Sequence, residues 1–221
     1  VKMRIGFEDD RHFDALLDLL DKHSVDLLSL HVRTVRGGYR SEPSYEHASH
    51  AVDRLPCPVL LNGNISSARV ACQEVSKSGA YGAMIGRAAI RNPWIFRQIR
   101  QTQANETVFR PNLKDVYAYV LELYEEFSSV EVPEVKQVAR MKKFLNFVGL
   151  GVDSQGIFLY HMRRTRTKNE LFSVCSRFMI EEGRGGISFN DQVSPASYCS
   201  SPSESSSASN SCSSEFGFPP P

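Results

Sequence analysis

From Val1 to about residue 100, short apolar runs alternate with stretches whose apolar positions recur at helical spacing, the pattern of parallel βα units. Four runs read as strands: Val1–Ile5, Leu27–His31, Val59–Leu61 and Ala83–Ile85. Between them Phe13, Leu16, Leu17 and Leu20 mark one amphipathic helix, and Val70, Ala71 and Val75 mark another. Parallel strands joined by helices make either a doubly wound sheet or a (β/α) barrel. The strand ends favour the barrel. Lys2 and Arg4 share one face by the two-residue period, as do Ser29, His31 and Arg33. A doubly wound sheet would bury both faces in apolar side chains, whereas a barrel gathers polar residues at its mouth. Four units make half of an eight-stranded barrel and leave two strand edges unpaired.

From Asn112 the period becomes purely helical. Val116, Tyr119, Val120, Leu123, Tyr124 and Phe127 form one stripe; Val135, Val138, Leu145 and Val148 form a second, with Gly149 as its C-cap. Thr167 and Glu170 have the spacing of a capping box and open a third helix carrying Leu171, Val174 and Phe178. Beyond Gly185 serine dominates and three prolines close the chain, a composition that predicts disorder. The expected organisation is a partial barrel over 1–105, a helical domain over 112–183 and a Ser/Pro-rich tail over 185–221.

With 221 residues and 41% hydrophobic content, the chain can bury one good core or two modest ones. No apolar run approaches bilayer-spanning length, so a soluble protein with no membrane partner is expected. The chain opens directly on a strand without an initiator Met, which predicts that it begins inside a larger protein. Five Cys without a CxxC pair argue against a zinc site or a disulfide framework, and suit an intracellular, reducing compartment, cytoplasmic or organellar. Net charge is +1 but unevenly spread: residues 136–184 hold ten Lys/Arg against four Asp/Glu, while residues 1–135 hold 16 against 18. That basic segment is either a polyanion-binding surface or a solvated helical face.

The strongest local signal runs from Gly79 to Trp94, a strand ending in Gly86-Arg87, then a short helical segment stopped by Asn92-Pro93. A backbone without Cβ at Gly86 admits a phosphate to the amides, and Arg87 adds a charged fork. The preceding strand ends in Asn62-Gly63-Asn64, whose amides can cradle the same anion; the competing reading is an ordinary turn, with Asn64 or Ser66 capping the next helix. Lys2 lies in an apolar strand, where a buried ammonium needs a partner: a cofactor carbonyl or anion, or a carboxylate elsewhere. His31 and Arg33 carry the same two readings, structural or functional. Gly37-Gly38-Tyr39 reads as a loop whose aromatic either stacks on a base or covers the barrel rim.

Taken together, Val1-Lys-Met-Arg-Ile-Gly6, Leu30-His-Val-Arg-Thr34, Gly38-Tyr39, Asn62-Gly-Asn-Ile65, Met84-Ile-Gly-Arg-Ala88 and Asn92-Pro-Trp-Ile-Phe96 resemble the tRNA-dihydrouridine synthase family in order and spacing. The resemblance is close to about residue 100 and looser through Met141-Lys-Lys-Phe144 and Met162-Arg-Arg-Thr165. It implies the C-terminal half of a TIM (β/α)8 barrel, then a small all-α helical domain. It also implies FMN-dependent, NADPH-driven reduction of the C5=C6 bond of tRNA uridines. Lys2 and His31 would contact the flavin ring region; Asn62, Gly63 and Asn64 would line the phosphate side; Gly86 and Arg87 would hold the phosphate. Arg33, Lys142, Lys143, Arg163, Arg164 and Arg166 would meet tRNA. The family's general-acid Cys belongs to the barrel's first half, and Cys57 sits at the wrong end of its strand to replace it. The chain alone is therefore expected to need that missing half as a partner and to show little or no synthase activity. Two other readings stand beside it: a non-catalytic RNA-binding module, and another FMN-dependent barrel oxidoreductase acting on a small molecule.

Overall fold

The structure, a computed structural model, describes residues 1–181. The expected tail over 185–221 and the end of the helical segment lie outside them. Four short strands, β1 (Lys2–Arg4), β2 (Leu28–His31), β3 (Val59–Asn62) and β4 (Gly82–Met84), form one parallel sheet in sequential order. All four match the expected runs to within two residues at either end. Helices α1 (Phe13–Lys22), α2 (Glu46–Arg54) and α3 (Ala68–Ser78) make the crossovers. Right-handed crossovers between strands laid down in order place every helix on the same face. Phe13 and Leu17 of α1, Ala48 and Ala51 of α2 and Ala71 of α3 accordingly share one core with Leu28, Leu30, Val59 and Leu61.

Strand alternation sends the other set of side chains to the opposite face. The register aligns Arg4, His31, Asn62 and Met84 in one row across all four strands. Lys2, Ser29, Leu60 and Gly82 form the row behind it. One face is thus apolar and covered by helices, while the other carries most of the polar side chains. Outside the sheet, α1 and the turn before it are clasped to α2 by Asp10–His47 at 2.8 Å, Asp14–His50 at 2.6 Å and Asp18–Arg54. Successive helical turns bring those carboxylates to one seam.

Beyond β4 come α4 (Arg87–Arg91), α5 (Ile95–Gln103), α6 (Leu113–Phe127), α7 (Glu134–Val148), α8 (Ile157–Arg164) and α9 (Lys168–Ser176). A second core gathers Val116, Val120, Met141, Leu145, Phe158 and Leu171. The Thr167/Glu170 capping box opens α9 as expected, and a second one, Asn112/Asp115, opens α6. The Val135 stripe needs correction: Val135 is 63% exposed, and Met141 takes the inward position the expected stripe lacked. Gly149 does end α7, but with φ −63°, running on into a 3-10 turn over Gly149–Gly151. Its lack of a Cβ serves close packing instead. A Cβ there would stand 2.5 Å from Leu159 and 2.8 Å from Phe158 of α8. The two cores meet through α4, since Tyr119 of α6 donates its hydroxyl to the Ile90 carbonyl at 3.1 Å. Trp94 also packs edge-on to Tyr119, with ring centroids 6.1 Å apart.

Candidate anion-binding cleft

At the C-terminal ends of the strands the polar face opens into a cleft of about 220 Å³. All seven residues that the motifs assign to a cofactor line it: Lys2, His31, Asn62, Gly63, Asn64, Gly86 and Arg87. Arg4, Tyr39 and Ser66 complete its polar wall, and no carboxylate among the described residues lines it. Three fixed cations on such a wall make a strongly positive concavity.

Each wall has a local cause. The β3 end turns sharply because Gly63 adopts φ +127° and Asn64 φ +54°, conformations that suit glycine and that Asn tolerates. Asn62 Nδ2 donates to the Met84 carbonyl at 2.7 Å, tying that turn to the β4 end. The Tyr45 hydroxyl donates to the Gly63 carbonyl at 3.1 Å from behind, and burial pushes its own ionisation up to about 12. Ser67, rather than Ser66 or Asn64, caps α3, accepting from the Val70 amide at 3.2 Å. Ser66 is thereby left on the cleft wall. A Cβ added to Gly86 would meet nothing within 4 Å, so the backbone there faces open cleft. An anion can approach those atoms closely.

His31 is buried, and its Nδ1 has no hydrogen-bond partner among the described residues. Burial above all, then the charges of Arg4, Arg33, Lys2 and Arg87, pull its ionisation down to about 4. It is neutral at physiological pH and keeps one ring nitrogen able to donate or accept. Tyr39 stands over the cleft: the Arg87 guanidinium lies 3.9 Å from its ring centroid, Arg4 6.0 Å away, and the His31 ring meets it edge-on at 6.4 Å. Arg4 is also held by the Thr34 carbonyl, to which Nη1 donates at 2.9 Å.

Two expectations fail in their physical premise. Lys2 is exposed, because β1 is an edge strand with a neighbour on one side only, so its ammonium bears no burial penalty here. Arg33 lies beyond the end of β2, is 1% exposed and does not line the cleft that His31 lines. Its Nε donates to the Ser41 carbonyl at 2.6 Å, and it braces the β2–α2 loop instead of presenting charge to solvent. The cations expected to meet tRNA also divide. Lys142 donates to the Arg163 carbonyl at 3.0 Å and to the Thr165 carbonyl, closing the end of α8. Arg163 donates to Asn146 Oδ1 at 2.9 Å, and Arg164 covers the Tyr160 ring at 3.4 Å. Arg163, Arg164, Arg166 and Lys143 are all exposed. None of Cys57, Cys72 and Cys175 lines the cleft. Among the described residues there is no cluster of metal-binding side chains, and no helix is long and apolar enough to cross a membrane.

A parallel sheet with helices on one face and a cationic cleft at its strand ends defines an α/β protein whose cleft has the charge to favour an anion. More narrowly, the chain belongs to the dihydrouridine synthase family, whose profile matches residues 1–147. It is similar to a probable tRNA-dihydrouridine synthase of Aquifex aeolicus, 29% identical over 121 residues covering 55% of this chain and 37% of the relative. A tRNA-dihydrouridine(16) synthase of Neisseria meningitidis is 24% identical over 180 residues, 81% of this chain and 54% of the relative. A probable tRNA-dihydrouridine synthase of Helicobacter pylori reaches 39% over 101 residues, 45% and 30% of the two chains. The chain thus spans between about a third and a half of the length of the curated relatives it matches.

Proposed function

We propose that the chain is the C-terminal part of a tRNA-dihydrouridine synthase, in which residues 1–105 form half of a (β/α)8 barrel holding FMN and residues 112–183 grip tRNA. The observation that carries this reading is the convergence of seven motif residues from four strands on one cationic cleft. Sequential strand order with helices on one face is what half of a closed barrel requires, and the uncovered polar face is then the barrel interior.

The wall fits a flavin mononucleotide. Arg87 and the open backbone at Gly86 suit a phosphate dianion, while the turn at Asn62, Gly63 and Asn64 flanks the same space. Lys2 and the neutral His31, with its unpartnered Nδ1, suit the polar edge of the ring system. When bound here, FMN reduced by NADPH would supply a hydride for the C5=C6 bond of a tRNA uridine. The chain's own residues bind and orient: Lys2 and Arg4 add positive charge, and His31 offers a neutral hydrogen-bonding nitrogen. No cysteine among the described residues lines the cleft, so the general-acid Cys would come from the barrel's other half. Exposed Lys143, Arg163, Arg164 and Arg166 would neutralise tRNA phosphates and position the nucleotide that enters the barrel.

The test is chemical. The purified protein is passed through gel filtration, and any retained chromophore is released with acid and identified by mass. FMN is the expected chromophore, or the one taken up when FMN, FAD and riboflavin are offered together. A folded protein that retains none and selects none contradicts the reading.

A further inference from the structure

Behind the cleft lies a buried arginine to which the motif around it assigns no role, and it is hard to explain as packing. Arg91, at the end of α4, is 2% exposed. Its Nη2 donates to the Ser66 carbonyl at 3.2 Å, while Nε and Nη1 are buried without a partner among the described residues. A guanidinium stays charged at any attainable pH, and burying one with unmatched N–H groups is costly. An apolar side chain of similar length would fill the space without that penalty. From this we infer that Arg91 is a positioning residue for the anion site, acting through Ser66.

The geometry is specific. Arg87 and Arg91 are four residues apart, so they lie on one side of the short helix: Arg87 lines the cleft, and Arg91, one turn on, reaches the Ser66 carbonyl. Ser66 belongs to the connection between Asn62 and the Ser67 cap of α3 and is itself part of the cleft wall. The Arg91 bond therefore fixes the distance between the turn and the Gly86-Arg87 step, the two segments that would clasp a phosphate. The Asn62–Met84 bond ties the same two segments at their other end, so the clasp is fastened twice. The inference rests on the phosphate-binding reading given above.

The experiment titrates the full chain with FMN and with riboflavin, which lacks the phosphate, following flavin fluorescence. Wild type should prefer FMN. Arg91→Met should reduce that preference by about tenfold, the scale of one charge-assisted hydrogen bond. Arg91→Lys, with a shorter reach and a single nitrogen, should fall between. A general loss of structure would weaken both ligands equally, so the ratio separates positioning from mere stability. If Arg91→Met no longer unfolds cooperatively, Arg91→Lys decides by the same ratio. An unchanged ratio, or equal weakening of both ligands, overturns the role of Arg91 and leaves the cofactor reading standing. A wild type that does not prefer FMN overturns the cofactor reading, and Arg91 with it.

Discussion

The two parts of the molecule satisfy their polar groups very differently. In the helical part, two capping boxes close α6 and α9, and Lys142 closes α8. Every buried side-chain atom without a hydrogen-bond partner among the described residues belongs to His31, Arg33, Arg91 or Asn92, all of them in or just behind the sheet. Natural folds leave few such groups, and a cluster of them marks a place where something other than stability shapes the residues. The helical part leaves no such atom among the described residues, whereas those of the sheet region lie beside its open polar face.

That contrast can be broken most forcefully at the helical core. Phe158 is fully buried against the close approach of Gly149, and Phe158→Ala should cost about 3–5 kcal/mol of stability in chemical denaturation. Flavin affinity measured below the transition should stay the same, because no residue of this core lines the cleft. Next in size, Lys143→Glu combined with Arg166→Glu should weaken tRNA binding and lower its salt slope by roughly one unit for each phosphate no longer neutralised. Both side chains are exposed, so the fold should not change. A smaller effect is expected at the α9 cap, where Thr167→Ala should cost about 1 kcal/mol, read from the denaturation midpoint.

The last prediction concerns pH and separates the two parts by chemistry. His31 ionises at about 4 in the folded chain, below the ordinary value of 6.5. The unfolded chain therefore binds the extra proton first as pH falls. The contribution of a neutral His31 is fully present above about pH 6.5 and drains away between there and about pH 4. His31→Gln should match wild type in relative stability above that window and lose less than wild type within it, as read from melting curves taken at stepped pH. Parallel curves throughout the window would show that His31 is not held neutral by its surroundings.

Much of this was legible in the sequence, for reasons that are local. Strand positions followed from apolar runs, and period-two alternation placed Lys2, Arg4, Ser29 and His31 on the polar face. The Asn62-Gly63-Asn64 and Gly86-Arg87 steps were visible because tight turns have distinctive residue types, and register then brings neighbouring strand ends together. What was not legible depends on contacts distant along the chain. The burial of Arg33 comes from the loop carrying Ser41, and Tyr45 meets Gly63 from 18 residues away. Arg91 reaches Ser66 across 25 residues, and no spacing rule announces such a pair. Helix α2 is polar over most of its length, with Ala48 and Ala51 as its buried residues, too weak an apolar stripe to stand out. Lys2 shows the opposite limit: its place on an apolar strand suggests burial, but exposure depends on how many neighbours that strand has.

Arg87 is the residue that tests most directly whether the cleft is a phosphate site. Its guanidinium stands on the cleft wall beside Gly86, away from both hydrophobic cores. Titrating FMN into wild type and Arg87→Ala side by side, with tRNA affinity measured on the same preparations, separates the two parts of the molecule in one experiment. Arg87→Ala is expected to weaken FMN by at least about tenfold, the scale of a charge-assisted hydrogen bond, and to leave tRNA binding nearly unchanged. Equal FMN affinity for the two proteins, both folded, would contradict a phosphate site in the cleft.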